Sequence, residues 1–73
     1  MLPADRAKVE WNSAKKHWEV RIEVGEEVIK RAIEGQPDDT SEAALKERAI
    51  AIAIDEGYQL SAAQIEVQAR ASA

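Results

Sequence analysis

From Ala44 to Gly57 the chain reads Ala-Leu-Lys-Glu-Arg-Ala-Ile-Ala-Ile-Ala-Ile-Asp-Glu-Gly, its longest apolar segment. Nothing else in 73 residues is long enough to be the spine of a core. A chain of this size buries only about 60% of the surface it exposes when unfolded. With no cysteine it has neither a disulfide staple nor a thiolate metal ligand to compensate. Any fold must therefore be built around this segment, and everything else is read by how it covers it.

The segment predicts a helix over 41–56. Asp39-Thr40-Ser41-Glu42 has the form of a capping box, with Asp39 as the cap and Glu42 three residues on. Gly57 supplies the residue after the last turn, where a left-handed backbone is wanted. The alternating Ile50, Ile52 and Ile54 look β-like, but the stop signals at both ends favour helix. At about 1.5 Å per residue the helix is about 24 Å long. Leu45, Ala49, Ile52 and Ala53 form one stripe. Ile50 and Ile54, with Ala43 beside them, lie about 140–180° round from Leu45. That surplus has two readings. Either a curved sheet takes in a wide apolar arc, or Ile50 and Ile54 pack on a second copy of the chain.

The clearest strand is Trp18 to Val24, where Trp18, Val20, Ile22 and Val24 alternate with Glu19, Arg21 and Glu23. Gly25 follows, and Val28 to Glu34 is a second β-like run, so the two predict a hairpin. A three-residue loop would turn Ile29 and Ile33 out to water, because a one-residue slip flips every side chain. A two-residue turn, Gly25-Glu26, buries both isoleucines and puts glycine where a type II′ turn wants it. A four-residue loop has the same parity and sets Glu23 opposite Lys30. Either even register puts Arg31 on the buried face, so its head must reach the sheet edge with its stem packed.

Lys8-Val9-Glu10-Trp11 alternates as a strand, and Asn12-Ser13 is a turn signal. A helix from Pro3 with Ala7, Trp11, Ala14 and Trp18 on one face is the rival. Ile65, Val67 and Ala69 alternate with polar residues in a last strand over 62–70. If the helix doubles back, that strand runs parallel to 28–34. The expected fold is α+β: a three- to four-stranded, mainly antiparallel sheet with one helix on one face, in the order β-β-β-α-β. It is read as one domain over 1–73, with 1–6 and 71–73 frayed. In outline, the Trp18-x-Val20 hairpin followed by a capped helix and a last strand is similar to several small bacterial β-β-α-β families. It is also similar to the antitoxin halves of some toxin–antitoxin pairs.

Charge and chemistry narrow the function. Formal net charge is −4, all of it from residues 37–73, while 1–36 balance. An acidic total argues against a DNA-binding overall field and leaves room for a local basic patch. Leu2-Pro3-Ala4-Asp5 is unlike a signal peptide, and no apolar run approaches the ~20 residues a membrane span needs. With zero cysteine the expectation is a cytoplasmic protein. His17 is the only histidine and stands beside Lys15 and Lys16 with no orienting partner in view, so no general base is assigned. Asp38-Asp39, Asp55-Glu56 and Glu26-Glu27 are explained by caps and turns, so no metal ligands, catalytic residues or cofactor are assigned. Gly25, Gly35 and Gly57 are isolated and none opens a phosphate loop.

Two functions remain. The first is a non-enzymatic protein-interaction module that docks on another protein or forms a homodimer. Its contact would be helix 41–56, through Ile50 and Ile54, or a sheet edge. The alternative is a small nucleic-acid-binding accessory using a basic–aromatic patch of Lys15, Lys16, His17, Arg21, Lys30 and Arg31, with Trp11 and Trp18 interleaved.

Overall fold

The computed structural model describes residues 2–37 and 39–68. The alternating stretch forms β3 (His17–Val24) at the centre of the molecule, with β2 (Arg6–Asn12) and β4 (Glu27–Ile33) antiparallel on either side. Ala7, Val9 and Trp11 of β2 stand opposite Ile22, Val20 and Trp18 of β3. Trp18 and Ile22 in turn stand opposite Ile33 and Ile29 of β4. Residues paired in this way project from the same face, so one side of the sheet is apolar. Residues 7–11 are thus strand, and the rival helix does not form.

The β3–β4 turn is the two-residue one. Val24 pairs with Glu27, Gly25 has φ +60°, and Glu26 is not among the positive-φ residues, which is the type II′ pattern. Glu23 therefore faces Val28, and the Glu23–Lys30 pair of the longer loop is not made. The β2–β3 loop is held by Asn12, whose Oδ1 accepts from the N–H groups of Ala14 and Lys15, each at 3.1 Å.

Helix α1 (Glu42–Asp55) lies on the apolar face. Its cap is Ser41 and not Asp39: Ser41 Oγ accepts from Ala44 N–H at 3.2 Å, and the third helical position holds no glutamate to complete a box. Gly57, with φ +91°, ends the helix and donates to Ile54 O at 3.0 Å. Leu45, Ala49 and Ala53 are fully buried against Val9, Val20, Ile22 and Ile33. Two of those three helix residues are alanines, so the helix backbone comes close to the sheet.

The linker before α1 is fixed by one carbonyl. Pro37 O accepts from Trp18 Nε1 at 2.8 Å, from Thr40 Oγ1 at 2.6 Å and from Thr40 N at 3.2 Å. Trp18 is 2% exposed, so its only polar atom needs this partner.

After α1, β5 (Tyr58–Gln59) pairs in parallel with β1 (Leu2–Pro3), two short strands with no signature in the sequence. Residues 2–6 are therefore not frayed: Ala4 is 2% exposed, Ala4 N donates to Gln59 O, and Asp5 N donates to Glu23 O. A single 3₁₀ turn (Ala62–Gln64) then leads into β6 (Ile65–Val67), so the expected 62–70 strand is shorter and begins later. Residues 69–73 lie outside the described residues.

β6 runs in the direction of β4, as expected for a helix that doubles back, but it does not lie beside it. It pairs in parallel with β2, giving the order β4-β3-β2-β6. The reason is visible at the start of β6. Gln64 Nε2 donates to the carbonyls of Ala4 and Asp5 at 2.9 and 3.3 Å, which ties the approach to β6 onto the approach to β2. The fold is α+β, with one helix on a four-stranded mixed sheet. No helix among the described residues is long and apolar enough to cross a membrane.

Candidate functional site

The strand registers sort the other side of the sheet into rows. Arg6, Glu23 and Val28 form one, Lys8, Arg21 and Lys30 the next, and Glu10, Glu19 and Ala32 the third. On β6, Glu66 extends the middle row beyond Lys8. α1 occupies the opposite side, so no other element of the described residues covers this face, which is mostly charged. Its first row joins opposite charges, Arg6 and Glu23, while the middle row sets three cations side by side with Glu66 at one end.

The carboxylates of Glu23 and Glu19 in the outer rows have partners, Glu23 within its own row and Glu19 in the Asn12–His17 pair beyond it, while Glu10 stands opposite Glu19 as a like charge. Arg6 holds Glu23 through Nε–Oε2 at 2.9 Å and Nη2–Oε1 at 3.2 Å. The hydrogen bond and the charge of Glu23 push the Arg6 guanidinium pKa further up. Glu19 lies 3.2 Å from His17 Nε2 and accepts from Asn12 Nδ2 at 3.3 Å. The bond to His17, and after it the bond to Asn12, hold the Glu19 carboxyl below the usual range. The middle row differs. Among the described residues the ion pairs are Arg6–Glu23, His17–Glu19 and Arg31–Glu56, so Lys8, Arg21 and Lys30 are in none of them, although Glu66 stands opposite Lys8. Beside Lys8 and Arg21 the face dips into a polar hollow of about 270 Å³, also lined by Arg6, Glu23, Gln64 and Glu66.

The basic–aromatic patch expected from sequence is divided into three parts. Lys15 and Lys16 sit exposed at the β2–β3 tip, and Lys16 takes a left-handed backbone at φ 56°. His17 is at the same end, half-buried against Glu19. Arg21 and Lys30 are neighbours in the middle row, about 13 Å along the strand from that tip, with the Glu10–Glu19 row between. Arg31 is on the other face, opposite Val20. Its Nη2 donates to Glu56 Oε1 at 2.7 Å and its Nη1 to Lys30 O at 2.7 Å. Its position at the sheet edge, head outward, is the one the pattern demanded. Both tryptophans also face the helix, edge to face with centroids 5.4 Å apart. No aromatic ring accompanies the open-face cations.

Of the expected helix contacts, Ile50 packs partly on the core, while Ile54 is 51% exposed. The other large exposed apolar residues are Leu2 and Val28. Val28 lies on the open face, so it forms no common patch with α1.

Lys8 is the residue that sequence reading passed over. A four-residue loop after Asn12 pairs Asn12 with His17, and counting back from there places Lys8 opposite Arg21. The signal was present in the Asn12 turn, but it needed the register to become a neighbour relation. Among the described residues no three of His, Cys, Asp and Glu come together as a metal set. No family model, no curated protein and no solved structure matches this chain.

Proposed function

We propose that this chain is a non-enzymatic interaction module of the cytoplasm that works through the open face of its sheet. The observation behind this reading is the middle row: three cations abreast, none of them in an ion pair among the described residues, on a face that no part of the described chain covers. The two contacts first suggested by sequence are less well supplied. Ile50 is half used by the core, which leaves Ile54 as the main apolar contact of α1 for a homodimer. The long free edge, β4, has the guanidinium of Arg31 lying on one of its carbonyls. A nucleic-acid accessory is the second reading, favoured by the same basic row and weakened by the loss of both tryptophans to the core.

The test is differential capture. The chain is immobilised as wild type, as Arg21→Glu and as Ile54→Glu, and partners retained from extract are compared. Partners lost with Arg21→Glu and kept with Ile54→Glu support the open face. The reverse pattern moves the working surface to α1. Sedimentation velocity over a wide concentration range decides whether a second copy is among the partners.

A further inference from the structure

We propose that the row Lys8–Arg21–Lys30 is a binding site for a linear inorganic polyphosphate chain lying across the strands. This rests on the open face being the working surface and names what that surface holds.

Like charges directly opposite one another on adjacent strands destabilise a sheet. Here the unfavourable contact occurs twice in succession, Lys8 against Arg21 and Arg21 against Lys30; among the described residues none of the three is in an ion pair, and only Lys8, at the end of the row, has a carboxylate opposite it, that of Glu66. At Arg21 and Lys30 the rule is broken with no carboxylate opposite either residue on a neighbouring strand, as is expected at a functional site. An anion on the row supplies the missing compensation.

The geometry selects the shape of that anion. Neighbouring strands lie about 4.8 Å apart, so the row is about 10 Å long and one side chain wide. Glu23 on one side, and Glu10 with Glu19 on the other, stand about 7 Å away along the strands. These carboxylates repel an anion broader than the row, and a nucleic-acid duplex is broader. A single nucleic-acid strand binds largely through base stacking on aromatic rings. The open face has none, because Trp11 and Trp18 lie against the helix side and Tyr58 is in β5. What remains is a narrow chain whose contacts are all phosphate. Arg21 at the centre offers a planar fork suited to two phosphate oxygens, and the lysines flank it as point charges. Glu66 closes the row beyond Lys8, and the end at Lys30 opens onto the free β4 edge. The chain therefore enters from β4 and stops at the polar hollow beside Lys8.

Sodium tripolyphosphate is the probe, followed by thermal unfolding and by calorimetric titration. The expected result is a saturable rise in Tm that sodium sulfate at equal ionic strength does not reproduce. Arg21→Gln should raise the Tm of the unliganded protein by about 3–6 °C, since it relieves both repulsions. The same variant should weaken tripolyphosphate binding about tenfold or more. Lys30→Gln should act in the same direction on both readings. Equal stabilisation by sulfate means screening alone and overturns the site. Undiminished binding by Arg21→Gln and Lys30→Gln places the ligand elsewhere and overturns it too. Tighter binding of a single-stranded oligothymidylate than of tripolyphosphate replaces the occupant with nucleic acid. Should tripolyphosphate fail while Arg21→Glu still abolishes partner capture, the open face stands and only the polyphosphate is lost.

Discussion

Two residues at the β2–β3 end show how the turn and the strand pairing set local chemistry. Lys16 holds φ 56° at the β2–β3 tip, a conformation that costs an L-residue with a Cβ about 1–2 kcal/mol. Glycine there relieves that strain but loses more entropy on folding, about 0.5–1 kcal/mol. Lys16→Gly should therefore stabilise by about 0.5 kcal/mol, seen as a higher urea midpoint with an unchanged slope. Glu19 has the opposite interest. Its carboxyl is held below the usual range by His17 and then Asn12. A carboxyl whose pKa is lower folded than unfolded adds stability above its unfolded value, about 4.3. That stability is lost as pH falls through the lower folded value. Glu19→Gln should be less stable than wild type at pH 7, and the gap should close on acidification below about pH 4. A gap that stays constant with pH would show that ionised Glu19 is not the favoured form.

At the scale of elements, β4 is an edge strand with seven residues and one unpaired side, an arrangement that invites pairing with another chain. Val24 and Glu27 flank a two-residue turn and exchange hydrogen bonds, so Val28, Lys30 and Ala32 turn their backbone groups outward. Arg31 reaches round from the helix side and donates to the Lys30 carbonyl while Glu56 holds its other nitrogen. The edge is thus closed at its midpoint. Arg31→Ala removes both contacts. Sedimentation equilibrium should then show association at concentrations where wild type stays monomeric. If Arg31→Ala is as monomeric as wild type, Lys30 is enough to protect the edge. The cap of α1 teaches a smaller lesson: Asp39, Thr40 and Ser41 all suit the role. Ser41 takes it because Thr40 is turned back onto Pro37.

At the scale of the molecule, the first residues are structural. Leu2, Ala4 and Asp5 each donate a backbone hydrogen bond, to Gly57, Gln59 and Glu23 in turn, and Ala4 is buried. Asp5 Oδ2 also accepts from Gly25 N at 2.7 Å, linking this segment to the hairpin turn. At about 0.5–1.5 kcal/mol for each bond, removing residues 1–5 should cost roughly 2–4 kcal/mol. That is a large part of the total stability of a chain this small. Chemical denaturation of the truncated chain tests this, and a loss under about 0.5 kcal/mol would mean that the segment is a dispensable tail.

Periodicity made β3, α1 and the two-sided character of the sheet legible, because side-chain direction repeats every 2 residues in a strand and every 3.6 in a helix. It also placed Arg31 at an edge and Trp18 in the core. Pairings between distant segments leave no periodic mark, so β1 with β5, and β6 beside β2 rather than β4, were decided only in three dimensions. They depend on single long-range contacts such as Gln64 to Ala4. The candidate site divides in the same way. Alternation alone sends Lys8, Arg21 and Lys30 to the polar side of their own strands. Only the register, a relation between strands, sets them side by side, and only the position of α1 leaves that side of the sheet open.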